Sequence, residues 1–416
     1  MSAPPSSAIV IGDGIVGLAC AVELQRRGVA TTLVGPSAHP TGASIGNAGH
    51  IAIEQVEPLA SRAMVKGLPS RLFLRGGPVS LPIRDIGAWL PFALRLLRAA
   101  SPDRFARGTE VLGTMLSTAF PAWRRLADTA GAGDLLRQNG HYVLWESEAT
   151  AVAGRERWSL AKIGETRFRN ASRPELAQLQ SLIRVPIAGA IRFEGSGQVV
   201  DLDALVRALR ASFQSLGGVF RQGKAASLIP GSTGMTVELK EGGRLDAPII
   251  LVAAGVSSAS LLAPLELRAP IIAERGYHIQ SSAPDWPADM PPVVFEDRSM
   301  IVTRFATGLR AAGFVEFGRA ESPPDPRKWQ RLRDHVATLG LPFPGPVQQW
   351  MGARPTLPDY LPAIGRSARY PQLAYAFGHQ HLGLTLAATT AERVAQMLLG
   401  ERSDVDLQSL SLDRFA

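Results

Sequence analysis

Short apolar runs and a helical pattern alternate at the start of the chain, and this order predicts parallel strands joined by a crossover helix. The run AIVI (8–11) is typical of a buried strand, LACAVELQRRG (18–28) has the spacing of a helix, and ATTLVG (30–35) predicts a second strand. No apolar run reaches the ~18 residues of a membrane-spanning helix. The first apolar run has no basic region before it, so we expect no signal peptide.

A glycine-rich loop, GDGIVG (12–17), connects the first strand to the helix. The pattern GxGxxG, placed between a strand and a helix and followed by a second strand, is the fingerprint of a dinucleotide site. Gly12 is expected to make the tight turn, and Gly14 to let the backbone approach a pyrophosphate. Gly17 is expected to let the helix pack on the strand, so that the helix N-terminus faces the phosphates.

The end of the second strand departs from this fingerprint. An acidic residue there normally binds the ribose of the adenosine, but Gly35 occupies the position, followed by Pro36 and Ser37. Ser37 or a water molecule is the candidate substitute for the acid. A Glu introduced at Gly35 is therefore expected to tighten cofactor binding where the site has room, and unchanged or weaker binding would mean that Ser37 or another residue already fills the role.

The pattern further along the chain predicts many strands and two long helices. Asp201 is expected to cap a helix over 202–216, because an Asp side chain accepts hydrogen bonds from the first turn. A strand, a Gly/His turn and a long helix are expected over 373–400. The remaining strand-like runs are 141–146, 218–229, 234–242, 246–255, 275–280, 300–305 and 308–317.

The composition is that of a large folded protein, with 416 residues, 46% of them hydrophobic and 19% charged. Two domains, or one core with a smaller lobe, are expected. The net charge is +8, and 39 of the 44 basic residues are arginines spread along the chain. This favours a solvated basic surface first, attraction to an anionic substrate or lipid surface second, and no nucleic acid partner. The single cysteine, Cys20, excludes an intrachain disulfide and suits a reducing compartment.

Several motifs occur in a fixed order along nearly the whole chain. They are GxGxxG (12–17), SxxNAG (44–49), VDLDAL (200–205), AAG (253–255), RGY (275–277), GxRPxxPDxxPxIG (352–365) and GHxxxGxT (378–385). This set resembles the D-amino acid oxidase and dehydrogenase superfamily of FAD-dependent enzymes, and most of all the bacterial D-amino acid dehydrogenases of the small subunit type.

The resemblance implies an α/β fold in which a Rossmann-like, doubly wound FAD-binding domain is interleaved with an α+β substrate domain on a mixed sheet. The FAD-binding domain is expected to comprise 1–80, 170–265 and 345–416, and the substrate domain 81–169 and 266–344. The cofactor is expected to be non-covalent FAD, since Cys20 is poorly placed for a bond to the flavin. The residues expected to bind FAD are Gly12, Gly14, Ile15, Val16, Gly17, Ser37, Ser44, Asn47, Ala48, Gly49, Ala254, Gly255, Gly352, Arg354, Gly378, His379, Gly383, Leu384 and Thr385.

Four residues are expected from the resemblance to act on the substrate. Arg354 and Arg304 would hold its carboxylate, because the planar guanidinium matches a carboxylate in two hydrogen bonds; Arg310 is the weaker choice. Tyr277 would direct a hydroxyl to the substrate, with a core aromatic as the alternative, and His50 would lie near the flavin. No metal is expected.

The resemblance implies oxidative deamination of small or cyclic D-amino acids, D-proline and hydroxyproline included, by hydride transfer from the α-carbon to the flavin. The electrons would pass to a quinone or another acceptor. The alternatives are an amine oxidase of the sarcosine or glycine oxidase type that uses O2, and a flavoprotein subunit of an electron-transfer complex. The segment 86–98 is either a helix buried between domains or an interfacial helix on an anionic membrane. The expected location is the cytoplasm, with peripheral contact at the inner membrane.

Overall fold

The structure is a computed structural model that describes residues 5–37, 42–282 and 285–416. Its α-helices are α1 (Ile15–Arg26), α2 (Arg62–Arg71), α3 (Ile86–Ala99), α4 (Pro102–Ser117), α5 (Ala119–Thr129), α6 (Glu148–Leu160), α7 (Arg173–Leu182), α8 (Leu202–Ser215), α9 (Ser258–Leu262), α10 (Pro326–Leu339) and α11 (Gly383–Leu399). Its strands are β1 (Ser7–Ile11), β2 (Ala30–Gly35), β3 (His50–Ile51), β4 (Val79–Ser80), β5 (Leu136–Arg137), β6 (His141–Trp145), β7 (Arg167–Asn170), β8 (Gly189–Glu194), β9 (Gly197–Val199), β10 (Val219–Gln222), β11 (Ala225–Pro230), β12 (Met235–Leu239), β13 (Arg244–Ala247), β14 (Ile249–Val252), β15 (Ile272–Ser281), β16 (Val293–Phe295), β17 (Met300–Phe305), β18 (Gly308–Gly318), β19 (Gln348–Thr356), β20 (Ala363–Arg366) and β21 (Leu373–Phe377).

The first large sheet has the strand order β10-β2-β1-β14-β21-β20, parallel except for the edge strand β20. The predicted strands 8–11 and 30–35 are its central β1 and β2. Helices α1, α8 and α11 contribute to one continuous apolar core that covers this sheet, and Cys20 is fully buried within it. Strands buried on both faces read as continuous apolar runs, which is why the sequence predicted them. The expected doubly wound architecture is confirmed.

The second large sheet has the order β19-β15-β18-β17-β16-β6-β8-β7, with β4 beside β18. It contains every strand-like run predicted between the FAD-binding segments. Parallel and antiparallel pairs both occur in it, so the expected mixed sheet is confirmed. Helix α10 packs its apolar face on this sheet.

The second sheet also takes strands from segments that the sequence placed in the FAD-binding domain. Strand β8 lies between β6 and β7, and β19 forms the edge beside β15. The predicted domain boundaries stay a prediction. Asp201 caps α8 as predicted, because its Oδ1 accepts a hydrogen bond from the backbone N–H of Ala204 at 2.9 Å.

Candidate active site

A cavity of about 1170 Å³ is lined by residues of both large sheets. One end is formed by the loop between β1 and α1 and by the small residues after β14. The other end is formed by the second sheet and by helices α2 and α3. The predicted site residues on its wall are Gly12, Gly14, Ile15, Val16, Ser44, Asn47, Ala48, His50, Ala254, Gly255, Arg354, His379, Gly383 and Leu384.

The glycine loop has the shape that an FAD pyrophosphate requires. Gly12 has a φ of +112°, and a Cβ there would overlap the carbonyl of Ala253. Among the described residues, a Cβ at Gly14 would instead meet only the hydroxyl of Ser44, at 3.4 Å, so the backbone is open towards the cavity. The N–H of Ile15 donates to this hydroxyl at 3.0 Å and begins α1. The residues fit an FAD phosphate at a helix N-terminus.

The SxxNAG loop is clamped by side chains of the second sheet. His278 bonds through Nδ1 to the carbonyl of Gly46 at 3.0 Å. Arg310 donates to the carbonyl of Ile45 at 3.0 Å and also to that of Asn47. Trp350 packs directly against Gly46. Arg310, the weaker candidate for the substrate carboxylate, therefore positions the cofactor loop instead.

The side chain of Asp13 fills the space beside Gly35, where the fingerprint normally has an acid. Asp13 is the variable residue of the GxG turn. A Cβ at Gly35 would lie 2.6 Å or less from three side-chain atoms of Asp13. Arg210 donates to Oδ2 of Asp13 at 3.1 Å, and Asp13 lines the cavity whereas Ser37 does not. Burial raises the pKa of Asp13, and Arg210 opposes this rise. The expectation that Glu at Gly35 tightens cofactor binding required room at that position, and the Asp13 side chain occupies it.

The turn before α11 holds two uncharged histidines. His379 bonds through Nε2 to the hydroxyl of Thr390 at 2.9 Å, and His381 through Nε2 to Oε1 of Gln55 at 2.5 Å. Burial lowers the pKa of His379 to about 3 and that of His381 to about 4. The N-terminal residues of α11 line the cavity without a side-chain cap, which suits negative charge on a bound flavin.

Arg354 lies on the cavity wall, where a buried carboxylate holds it. Its Nη1 donates to Oε1 of Glu274 at 3.2 Å, and Thr356 donates to the other oxygen of Glu274 at 3.0 Å. Glu274 is 1% exposed, whereas the Arg354 side chain is 26% exposed. In the part of the chain that the structure describes, Glu274 is the only hydrogen-bond acceptor of Arg354. The remaining N–H groups are available for a ligand carboxylate.

The structure places Tyr277 and Arg304 outside this cavity. The hydroxyl of Tyr277 donates to Glu316 at 3.1 Å and accepts from the backbone N–H of Asp325 at 3.1 Å. Burial raises its pKa to about 12. Arg304 donates to the carbonyl of its neighbour Phe305. In this structure Tyr277 packs as a core aromatic, which was the alternative prediction, and Arg304 does not line the cavity on whose wall Arg354 lies.

Tyr277 belongs to a buried charged cluster behind the sheet. Lys328 donates to Glu316 at 2.5 Å and to Asp325 at 3.0 Å. Arg275 pairs with Glu316 at 3.1 Å. The side chains of Arg275, Glu316 and Lys328 are fully buried. The cluster is structural, since none of its members lines the cavity.

Several predicted cofactor residues shape the backbone without lining the cavity. A Cβ at Gly17 would overlap the carbonyl of Gly12, and one at Gly378 would lie 2.5 Å from Leu357. Thr385 accepts from the N–H of Ala52 at 3.0 Å. The other residues of this group are Ser37, Gly49 and Gly352. Sequence reasoning missed Asp13, Glu54, His141 and Trp350, which do line the cavity.

Helix α3 lies across the cavity and has two different faces. Trp89, Phe92 and Leu96 line the cavity, and Phe92 stacks on Phe317 with ring centroids 5.8 Å apart. The opposite stripe comprises Ile86, Leu90 and Leu94, which are between 44% and 55% exposed, and Leu97, at its edge, is 51% exposed and also lines the cavity. The segment 86–98 is therefore half-buried. It is neither the fully buried helix nor the free interfacial helix that the sequence left as alternatives.

In the described residues, no helix has both the length and the apolar character needed to cross a membrane.

Residues 7–397 match the family model DAO, described as FAD dependent oxidoreductase. A D-amino-acid oxidase of Bradyrhizobium diazoefficiens is 30% identical over 98% of both chains. A D-amino acid dehydrogenase of Cereibacter sphaeroides is 27% identical over 98% of this chain and 95% of its own. The crystal structure of a glycine oxidase from Geobacillus kaustophilus superposes with a TM-score of 0.72, at 20% identity and 99% coverage of both chains. The chain therefore belongs to the DAO family of FAD-dependent oxidoreductases.

Proposed function

We propose that the protein is an FAD-dependent D-amino acid dehydrogenase that deaminates small or cyclic D-amino acids, including those of the D-proline and hydroxyproline type. Relatives that span the whole chain and are named D-amino-acid oxidase and D-amino acid dehydrogenase support an amino acid substrate. The observation that carries the proposal is the position of Arg354 on the wall of the cavity that begins at the glycine loop. A planar guanidinium with free N–H groups binds a carboxylate bidentately.

The chain's own residues would orient the substrate and exclude water. Arg354 would hold the carboxylate, and Glu274 would keep the guanidinium from rotating away, since it is itself anchored by Thr356. The aromatic and aliphatic side chains of α3 close the cavity on one side. When bound, FAD supplies the oxidising chemistry by accepting a hydride from the α-carbon. Holding the carboxylate fixes the direction of the α-hydrogen.

We further propose that α3 docks on an anionic membrane, where a quinone would accept the electrons. Ile83 is 85% exposed and continues the apolar stripe of α3 by one turn. Arg84, Arg98 and Arg104 are exposed around it and would face anionic headgroups. The same helix lines the cavity, so a docked quinone would lie close to the flavin site.

Vesicle flotation tests the docking. Leu90→Glu/Leu94→Glu should lose binding to anionic vesicles at low salt by at least about 10-fold. Leu160→Glu is the matched control, because Leu160 is 79% exposed but lies on α6. Equal flotation of the double variant and the control would contradict the proposal, as would failure of the wild type to bind anionic vesicles.

Anaerobic flavin reduction by D-amino acids, L-amino acids and N-methyl amino acids tests the substrate class. We expect D-amino acids to bleach the flavin fastest. Arg354→Ala should lower kcat/KM by roughly 30-fold or more with FAD retained, since losing a partner of a desolvated charge costs about 2–5 kcal/mol. Arg304→Ala is the matched control, because Arg304 lies outside the cavity. Loss of FAD in Arg354→Ala would assign this residue to the cofactor instead.

A D-amino acid oxidase is the second candidate, because the relative at 30% identity carries that name. The two enzymes differ in the oxidant that takes electrons from the flavin. Stoichiometric peroxide formation in air, at a rate close to that with a quinone analogue, would favour the oxidase.

A further inference from the structure

Three polar side chains that the proposed mechanism does not use meet on the cavity wall. They are His50, at the start of β3, Glu54, four residues later, and His141, at the start of β6. One ligand atom from each lies within 4.8 Å of the other two. Glu54 is 2% exposed and His141 is 1% exposed. The cluster therefore joins the cofactor loop to the second sheet.

Two atoms of this cluster are buried without a hydrogen-bond partner in the described chain, namely Nε2 of His50 and Oε2 of Glu54. His141 bonds through Nδ1 to the hydroxyl of Ser196 at 2.7 Å, which leaves its Nε2 for another partner. Buried polar atoms are nearly always paired in folded proteins. Unpaired ones on a cavity wall are accordingly expected to find their partner in a ligand.

The cluster is rigid and otherwise surrounded by apolar groups. The His141 ring lies between the rings of His50 and Phe193, with centroids 4.5 Å and 4.6 Å away. Val143 and Trp158 line the same wall. Burial lowers the pKa of His50 to about 3 and raises that of Glu54 to about 7. The two imidazoles are thus neutral and can each donate or accept one hydrogen bond.

The arrangement suits a single polar group of an organic ligand. An oxygen or nitrogen with tetrahedral partners at about 2.8 Å holds those partners about 4.6 Å apart, which the spacing allows. The cluster lines the same cavity as Arg354, so a substrate bound at Arg354 can extend towards it.

We propose that His50, Glu54 and His141 form a subsite for a hydroxyl or amino group on the substrate's side chain, so that the enzyme prefers polar amino acids to apolar ones of equal size. This inference rests on the proposed function, in which Arg354 holds the substrate carboxylate. A hydroxyl would donate to Glu54 and accept from the imidazoles, whereas an ammonium would donate to all three.

Matched substrate pairs test the subsite by anaerobic flavin reduction. The pairs are D-serine and D-alanine, 4-hydroxy-D-proline and D-proline, and D-lysine and D-norleucine. The wild type should prefer the polar member of at least one pair by about 10-fold or more in kcat/KM, chiefly through KM. Glu54→Leu should abolish this preference and Glu54→Gln should weaken it, so that kcat/KM for the polar member falls relative to that for its apolar partner. Glu57→Gln is the matched control, because Glu57 lies in the same segment but outside the cavity.

Other outcomes would overturn the inference. Equal losses for both members of every pair would show that the cluster contacts a group common to all substrates. Stoichiometric zinc in the purified protein, lost in Glu54→Gln, would make the cluster a metal site. If Glu54→Leu fails to fold or to retain FAD, Glu54→Gln decides alone. If only L-amino acids or N-methyl amino acids reduce the flavin, the proposed function fails, and polar and apolar pairs of that series still test the subsite.

Discussion

The Asp13 side chain, which fills the space beside Gly35, leads to a prediction opposite to the one that the sequence suggests. Gly35→Glu places a Cβ 2.6 Å or less from three atoms of Asp13, where ordinary contacts begin at 3.4 Å. The Asp13 carboxylate must then move and lose its 3.1 Å contact with Arg210. We expect the Asp13 carboxylate to accept a hydrogen bond from the ribose of FAD; a hydrogen bond to a charged group contributes about 1–3 kcal/mol, so its displacement should weaken FAD binding about 5- to 150-fold.

Titration of the apoprotein with FAD, followed by flavin fluorescence, measures this change directly. Asp13→Ala alone should weaken binding by a similar factor, and Asp13→Ala/Gly35→Glu should recover part of it, since the new acid occupies the vacated space. Gly113→Glu is the control for the added carboxylate, because among the described residues a Cβ at Gly113 meets nothing within 4 Å and Gly113 lies outside the cavity. Tighter binding by Gly35→Glu, or unchanged binding by Asp13→Ala, would refute the reasoning.

Three further predictions concern the buried groups and the cofactor. Lys328→Met should lower the free energy of unfolding by about 3–5 kcal/mol, measured by denaturant titration, because it removes one of the two buried cations beside Glu316 and the buried cation beside Asp325; a loss below 1 kcal/mol would contradict this. Burial raises the pKa of Glu54 from 4.5 to about 7, so the folded state binds this proton more tightly than the unfolded state does. The free energy of unfolding should therefore fall by about 3 kcal/mol as the pH rises from 4.5 to about 7. Glu54→Gln should remove this contribution from the pH dependence of Tm. Acid precipitation should release the yellow flavin into the supernatant, since Cys20 is fully buried and burial raises its pKa; colour retained in the pellet would show a covalent link.

The sequence determined the parts of the protein that depend on local order. The strand, glycine loop and helix at 8–28 follow from hydrophobic periodicity and from the conformations that only glycine permits, and all are present as predicted. The cap at Asp201 is equally local, since its partner is three residues away. Arg354 was found because it lies in a long, specific motif, and the structure places it on the cavity wall.

Only the tertiary structure decided which side chains face the cavity. Successive residues of a strand point to opposite faces, so Tyr277, three residues after Glu274 on β15, faces the buried cluster while Glu274 faces the cavity. A motif does not reveal this choice, because it depends on which face of the sheet covers the site. His141 lies beside Glu54, 87 positions away in the sequence, and Asp13, in the loop after the neighbouring strand β1, fills the space beside Gly35. These contacts arise from chain packing between distant segments, which no local pattern records.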